Sequence, residues 1–76
     1  MNQLITIHPD IQSGTPVFFN TRVPIKNLFD YVRGGNTVAE FLDDFPSVQF
    51  NQAVAVLNLA ESIVTLTPSQ YAKTAS

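Results

Sequence analysis

His8, Asp10 and Ser13 come nearest to a catalytic set in this 76-residue chain, which contains one histidine and no cysteine. A serine nucleophile needs a histidine base, an orienting carboxylate and an oxyanion hole, all held on a rigid frame. Here the three sit together in a single loop region with nothing resembling an oxyanion hole. No catalytic residue is assigned, and the chain is not expected to be an enzyme. His8 and Asp10 also supply too few ligands for zinc, so neither a metal nor a cofactor is expected. His8 reads as a surface strand residue or as a hydrogen-bonding partner at a hairpin.

Binding chemistry is better represented. Arg22, Lys26 and Arg33 could form an edge that contacts phosphates, because Arg22 precedes a helix, Lys26 lies in its first turn and Arg33 shares its face. The competing reading of Arg22 is architectural, with its guanidinium bracing the strand–helix corner through backbone carbonyls or Asp10. Further along, Asn51, Gln52 and Asn58 are amides able to pair with adenine edges, on a segment without Lys or Arg. They read equally well as solvent-facing residues of a packed helix. The adjacent Asp43 and Asp44 read as solubilising charge. Gly34-Gly35 is a helix stop, since no strand precedes it and no Lys-Ser/Thr follows.

These groups must be positioned by few elements. Leu4-Ile5-Thr6-Ile7-His8 alternates apolar and polar residues, a short strand ended by Pro9-Asp10. Val17-Phe18-Phe19 is a second strand, expected antiparallel to the first. Between and after them, Gly14 and Pro16 shape a turn, and Asn20-Thr21-Arg22 makes a corner. Pro24 then suits the first turn of a helix. Ile25, Leu28, Phe29 and Val32 recur with helical spacing, and Gly34-Gly35 stops that helix with Arg33 in its last turn. Thr37-Val38-Ala39-Glu40 is a capping box that opens a second helix along Val38, Phe41, Leu42 and Phe45, ended by Pro46.

A third helix is expected from about 49 to 64, with Ala53, Leu57, Ala60 and Val64 centring its buried face. Phe50, Val56 and Ile63 flank that face. So apolar a helix asks for cover on more than one side, and Phe50, Val54 and Leu59 are the candidate dimer or partner interface. The tail, 65–76, reads as flexible. The fold class is therefore mostly α with a short N-terminal β-hairpin at about 4–20. Its three-helix bundle is helix-turn-helix-like, of homeodomain or winged-helix type, with helices near 24–34, 38–45 and 49–64 in one domain.

Composition narrows the function classes. The chain is 45% apolar, with six Phe and two Tyr, and only 13% charged, about half the usual share. A net charge of −2 supplies few cations for nucleic acid, although three of the four basic residues fall between 22 and 33. No run of about 18 apolar residues and no secretory leader is seen, so a cytoplasmic protein without a membrane partner or small-molecule substrate is expected.

The order Ile5, Pro9, Ile11, Gly14, Pro16, Thr21-Arg22-Val23-Pro24-Ile25, Gly34-Gly35, Phe45-Pro46 and the Ala-rich stretch 53–60 resembles the bacterial domain-of-unknown-function family 433. The resemblance covers roughly residues 4–62, with Gly14, Pro16, Thr21, Arg22 and Pro24 as its structural signature. It implies a hairpin followed by a helix-turn-helix-like body and an antitoxin-like role. Such a protein would neutralise a PIN-like ribonuclease toxin by direct binding, with the segment from Val64 onward as the binding element, and could repress its own operon by binding operator DNA as a homodimer. The alternatives are a stand-alone helix-turn-helix regulator and a protein-interaction adaptor that binds no DNA. Two departures stand out. Asn20 replaces the usual Gly, which a positive φ tolerates, and Gln49-Phe50-Asn51-Gln52 replaces a Thr and acidic residues, which predicts a weaker N-cap and an exposed Phe.

Overall fold

The computed structural model describes residues 3–66. Strand β1 (Ile5–Thr6) pairs antiparallel with β2 (Val17–Phe18), Ile5 opposite Phe18 and Thr6 opposite Val17. Helices α1 (Ile25–Arg33), α2 (Val38–Asp44) and α3 (Phe50–Leu66) follow. The strand connection holds a 3-10 turn at Gln12–Gly14, where Gln12, Ser13 and Gly14 all take positive φ. A Cβ on Gly14 would meet nothing within 4 Å, so its φ of 85° rather than crowding favours glycine there.

The corner after β2 turns back on the sheet. Asn20 adopts the expected positive φ, 64°. Thr21 holds the bend: its hydroxyl donates to the Phe18 carbonyl at 2.9 Å and accepts the Val23 N–H at 3.0 Å. Pro24 does not enter α1 as expected. It stands at the N-cap with extended ψ of 138° and bridges Val17, while the Ile25 N–H donates to the Pro16 carbonyl. Pairing with the β2 edge therefore keeps Pro24 extended and starts the helix one residue later.

At the other end of α1, the Asn36 N–H reaches the Tyr31 carbonyl and the Gly35 N–H reaches that of Val32. Gly35 sits at φ 90°, which makes this a Schellman stop. The capping box of α2 is complete: the Thr37 hydroxyl accepts from the Glu40 N–H, and the Glu40 carboxylate accepts from the Thr37 N–H.

The core forms where β2, α1, α2 and the start of α3 meet, around Phe18, Leu28, Phe41, Val48, Ala53 and Val56. Phe41 is its hub, with ring centroids 5.1 Å from Phe45, 5.4 Å from Tyr31 and 5.9 Å from Phe18. Helix α3 departs from its expected burial. Ala53 and Val56 are buried, but Ile63 and Val64 are 57% and 60% exposed. The body is too short to reach beyond Leu57, the last residue of α3 packed against it. The helix also continues to Leu66, so Thr65 and Leu66 belong to it and not to a tail. The remaining tail, 67–76 with Lys73, lies outside the described residues. Among the described residues no helix is long and apolar enough to cross a membrane.

Candidate interaction surface

Each charged or amide side chain singled out above can now be placed. Lys26 and Arg33 project from α1 on either side of Asp30, one turn away from each. The Lys26 ammonium lies 2.7 Å from one Asp30 oxygen, and the Arg33 guanidinium holds the other. The hydrogen bond from Lys26 holds the Asp30 carboxyl below its ordinary value; partial burial opposes this, and Arg33 adds to it. Two cations that seemed free for phosphate thus share one carboxylate. The spacing Lys26, Asp30, Arg33 is a readable i, i+4 and i, i+3 pattern, and Asp30 is its overlooked member.

Arg22 is the contrasting case. Neither the carbonyl-bracing role nor a pair with Asp10 occurs for its guanidinium among the described residues. Its backbone carbonyl instead accepts from the Gln12 side chain at 3.3 Å, and the corner is braced by Thr21, whose short hydroxyl can reach two backbone groups at once. The Arg22 side chain is exposed beside a cleft of about 370 Å³ lined by Thr6, Ile11, Phe19, Asn20 and Thr21. No other carboxylate or cation lines it.

On the other side of Phe19 and Asn20 lies an open groove of about 820 Å³ against the first turns of α3. Its polar lining is Gln3, Asn20, Ser47, Gln49, Asn51 and Gln52, without a charged residue. Amides neither give nor take protons near neutral pH, so these groups offer hydrogen bonding without acid–base chemistry.

Gln52 is engaged in holding the fold. Its Oε1 accepts the Gln49 N–H at 2.9 Å, and its Nε2 donates to the Phe19 carbonyl at 3.0 Å. The first contact is half of a capping box, so the departure at 49–52 leaves α3 partly capped. The second ties α3 to the hairpin corner. Asn51 and Asn58 are exposed and share a strip of α3, whereas Gln52 lies about 100° away from Asn51. The three amides therefore do not present one reading edge. Phe50 is 66% exposed, as the altered N-cap suggested, and Leu59 is 46% exposed, but Val54 is half-buried. Phe50 and Leu59 stand about 180° apart around α3, so these candidates do not form one patch.

The remaining groups serve local structure. His8 Nδ1 accepts the Asp10 N–H at 3.1 Å, and Ser13 makes no hydrogen bond to His8 among the described residues. Asp44 is more than a solubilising charge, because it accepts the Tyr31 hydroxyl at 2.6 Å and joins α1 to α2. That hydrogen bond raises the Tyr31 pKa above its usual value, with partial burial and the Asp44 charge acting the same way.

Comparison with known proteins reaches the level of family. A stretch of 46 residues, 60% of this chain, is 39% identical to "Uncharacterized protein y4eO" of Sinorhizobium fredii (strain NBRC 101917 / NGR234). It covers 21% of that relative, so the matched region spans about a fifth of the longer protein. No solved structure matches the chain. Residues 5–60 match the family model described as "Protein of unknown function (DUF433)", and the chain belongs to that family.

Proposed function

We propose that this chain is an antitoxin-like protein that works by binding another protein, a PIN-like ribonuclease, rather than by reading DNA bases. The observation that carries the reading is the way its charges are distributed. Lys26 and Arg33 are both engaged by Asp30, which offsets one of their two charges, and Arg22 stands uncommitted among the described residues beside Phe19, 40% exposed, at an uncharged corner. Arginine next to an exposed aromatic is the composition of a protein-binding hot spot. DNA binding would instead need several free cations, and the amide best placed at the start of α3 is held by Phe19.

In this reading the α2–turn–α3 segment is a helix-turn-helix-like scaffold, and operon repression is a secondary activity. The carboxylates of a metal-dependent nuclease would be natural partners for Arg22. The test is to express the product of the reading frame beside the gene and assay RNA cleavage with and without this chain. A stable complex that suppresses cleavage is expected, weakened about thirtyfold by Arg22→Ala, the effect of a hot spot near 2 kcal/mol. Full cleavage in the presence of excess chain would overturn the reading, as would a complex indifferent to Arg22→Ala and Phe19→Ala.

A further inference from the structure

The two edges of the hairpin are treated differently by the fold. Across the hairpin the Phe19 N–H donates to the Leu4 carbonyl, while Phe18 turns its N–H to the Val23 carbonyl and its own carbonyl to Thr21. With Ile5 opposite Phe18, the residues of β1 that bond to β2 are Leu4 and Thr6. Alternation then turns the N–H and C=O of Gln3, Ile5 and Ile7 the other way. The far side of β2 is closed by the bridge from Val17 to Pro24 and by the Ile25 N–H on the Pro16 carbonyl. No third strand lies beside β1 among the described residues.

Exposed sheet edges are ordinarily guarded by a lysine, a proline or an inward-pointing charge, because their backbone groups attract other strands. From Gln3 to Ile7 this edge carries none of these. It shows Ile5, 39% exposed, and Ile7, 66% exposed. The groove of about 820 Å³ begins at Gln3 and Leu4, the end of the same strand, and its polar lining there is amide and hydroxyl without a charge. A charged segment would find no counter-ion along this path, whereas an uncharged backbone would find hydrogen-bonding groups throughout.

We propose that the β1 edge takes an extended, uncharged segment of another protein as a third strand, antiparallel to β1. Its β-branched side chains lie against Ile5 and Ile7, and its residues beyond Gln3 run into the amide-lined groove. In such strand addition the main-chain hydrogen bonds supply affinity and the alternate side chains supply selectivity. So few outward residues offer few bonds, so a free peptide binds weakly, with a dissociation constant on the order of hundreds of micromolar. The site makes no use of Arg22 and its probe carries no carboxylate, so it stands or falls independently of the ribonuclease reading.

The probe is a capped peptide of about seven alternating threonine and valine residues, flanked by Gly-Ser for solubility and titrated into the full chain by NMR. The Ile5 and Ile7 amides are expected to shift and to exchange with solvent several-fold more slowly, while those of Leu4 and Thr6, already bonded to β2, change little. The same peptide N-methylated at every residue should not bind, since it has no N–H to give. Ile7→Pro removes an outward N–H that the hairpin does not use, a change that edge strands tolerate. It should keep the far-ultraviolet circular dichroism and bind the peptide several-fold more weakly. No shift at millimolar peptide overturns the proposal, and so does equal binding of the N-methylated peptide, which would mean apolar contact alone. It also fails if the Ile5 and Ile7 amides are already protected in the free chain, the mark of an edge taken by the chain's own residues. Protection that grows with protein concentration, the mark of a second copy, overturns it equally.

Discussion

Replacing Gln52 separates a role in folding from a role in recognition. Its amide makes two hydrogen bonds, to the Gln49 N–H at the start of α3 and to the Phe19 carbonyl 33 residues away in sequence. At about 0.5–1.5 kcal/mol net for each, Gln52→Ala should destabilise the fold by roughly 1–3 kcal/mol. A domain of this length has about 4–11 kcal/mol in all, so the loss is a large share. With a urea slope near 1 kcal/mol/M, the midpoint should fall by about 1–3 M. Gln52→Glu keeps an oxygen for the Gln49 N–H but turns a carboxylate toward the Phe19 carbonyl, so it should restore capping and still lose the tie to the corner. Amide exchange at Gln49 and around Phe19 would resolve the two contacts. If Gln52→Ala unfolds within about 0.5 kcal/mol of the wild type, the range of ordinary surface changes, the structural assignment is wrong.

Phe41→Ala removes the ring at the centre of the aromatic cluster and should cost about 3–5 kcal/mol, enough to leave the chain largely unfolded on calorimetry. The Asp30 carboxyl should titrate below 3.8 by NMR; because its folded pKa is depressed, the associated stability is present above the unfolded value and is lost as pH falls through the folded one. Tyr31 should ionise above 10.0 in an ultraviolet titration, and Asp44→Asn should bring it back down; here the raised pKa means stability present below the unfolded value and lost as pH rises through the folded one. Any binding to duplex DNA should draw on Arg22 and the single net charge left by Lys26, Asp30 and Arg33, giving a salt slope of about −1.8 per chain in fluorescence anisotropy, whereas about −2.7 would mean that Lys26 and Arg33 both leave Asp30 for phosphate.

Much of the local architecture was legible because it depends on near neighbours. The capping box at Thr37 and Glu40, the glycine stop after Arg33 and the positive φ of Asn20 each follow from the properties of a few consecutive residues. Periodicity likewise located three helices; Ile25, Leu28 and Phe29 face the core as their spacing required, but Val32, the fourth residue of that face, is 44% exposed in the last turn of α1. Less was legible wherever a residue had a choice of partners. Lys26 and Arg33 have the same spacing whether they reach for phosphate or for Asp30. Gln52 can read a base or cap its own helix. Only the approach of the hairpin corner to α3 puts the Phe19 carbonyl within its reach.

The amino-acid sequence by itself determined the elements, their order and the membership of the chain in its family, because turns, caps and hydrophobic periods are properties of short segments; the strand Leu4–His8 shortened to Ile5–Thr6, and the start of α1 and the end of α3 shifted. Tertiary structure decided which polar groups remain available. It drew two of the three expected cations onto the one Asp30 carboxylate, left the Arg22 guanidinium without a described partner, and carried Tyr31 to Asp44. It also decided where burial ends on α3. Periodicity marks one apolar face along the whole helix, but the small body covers only as far as Leu57, and coverage depends on what the rest of the chain brings alongside.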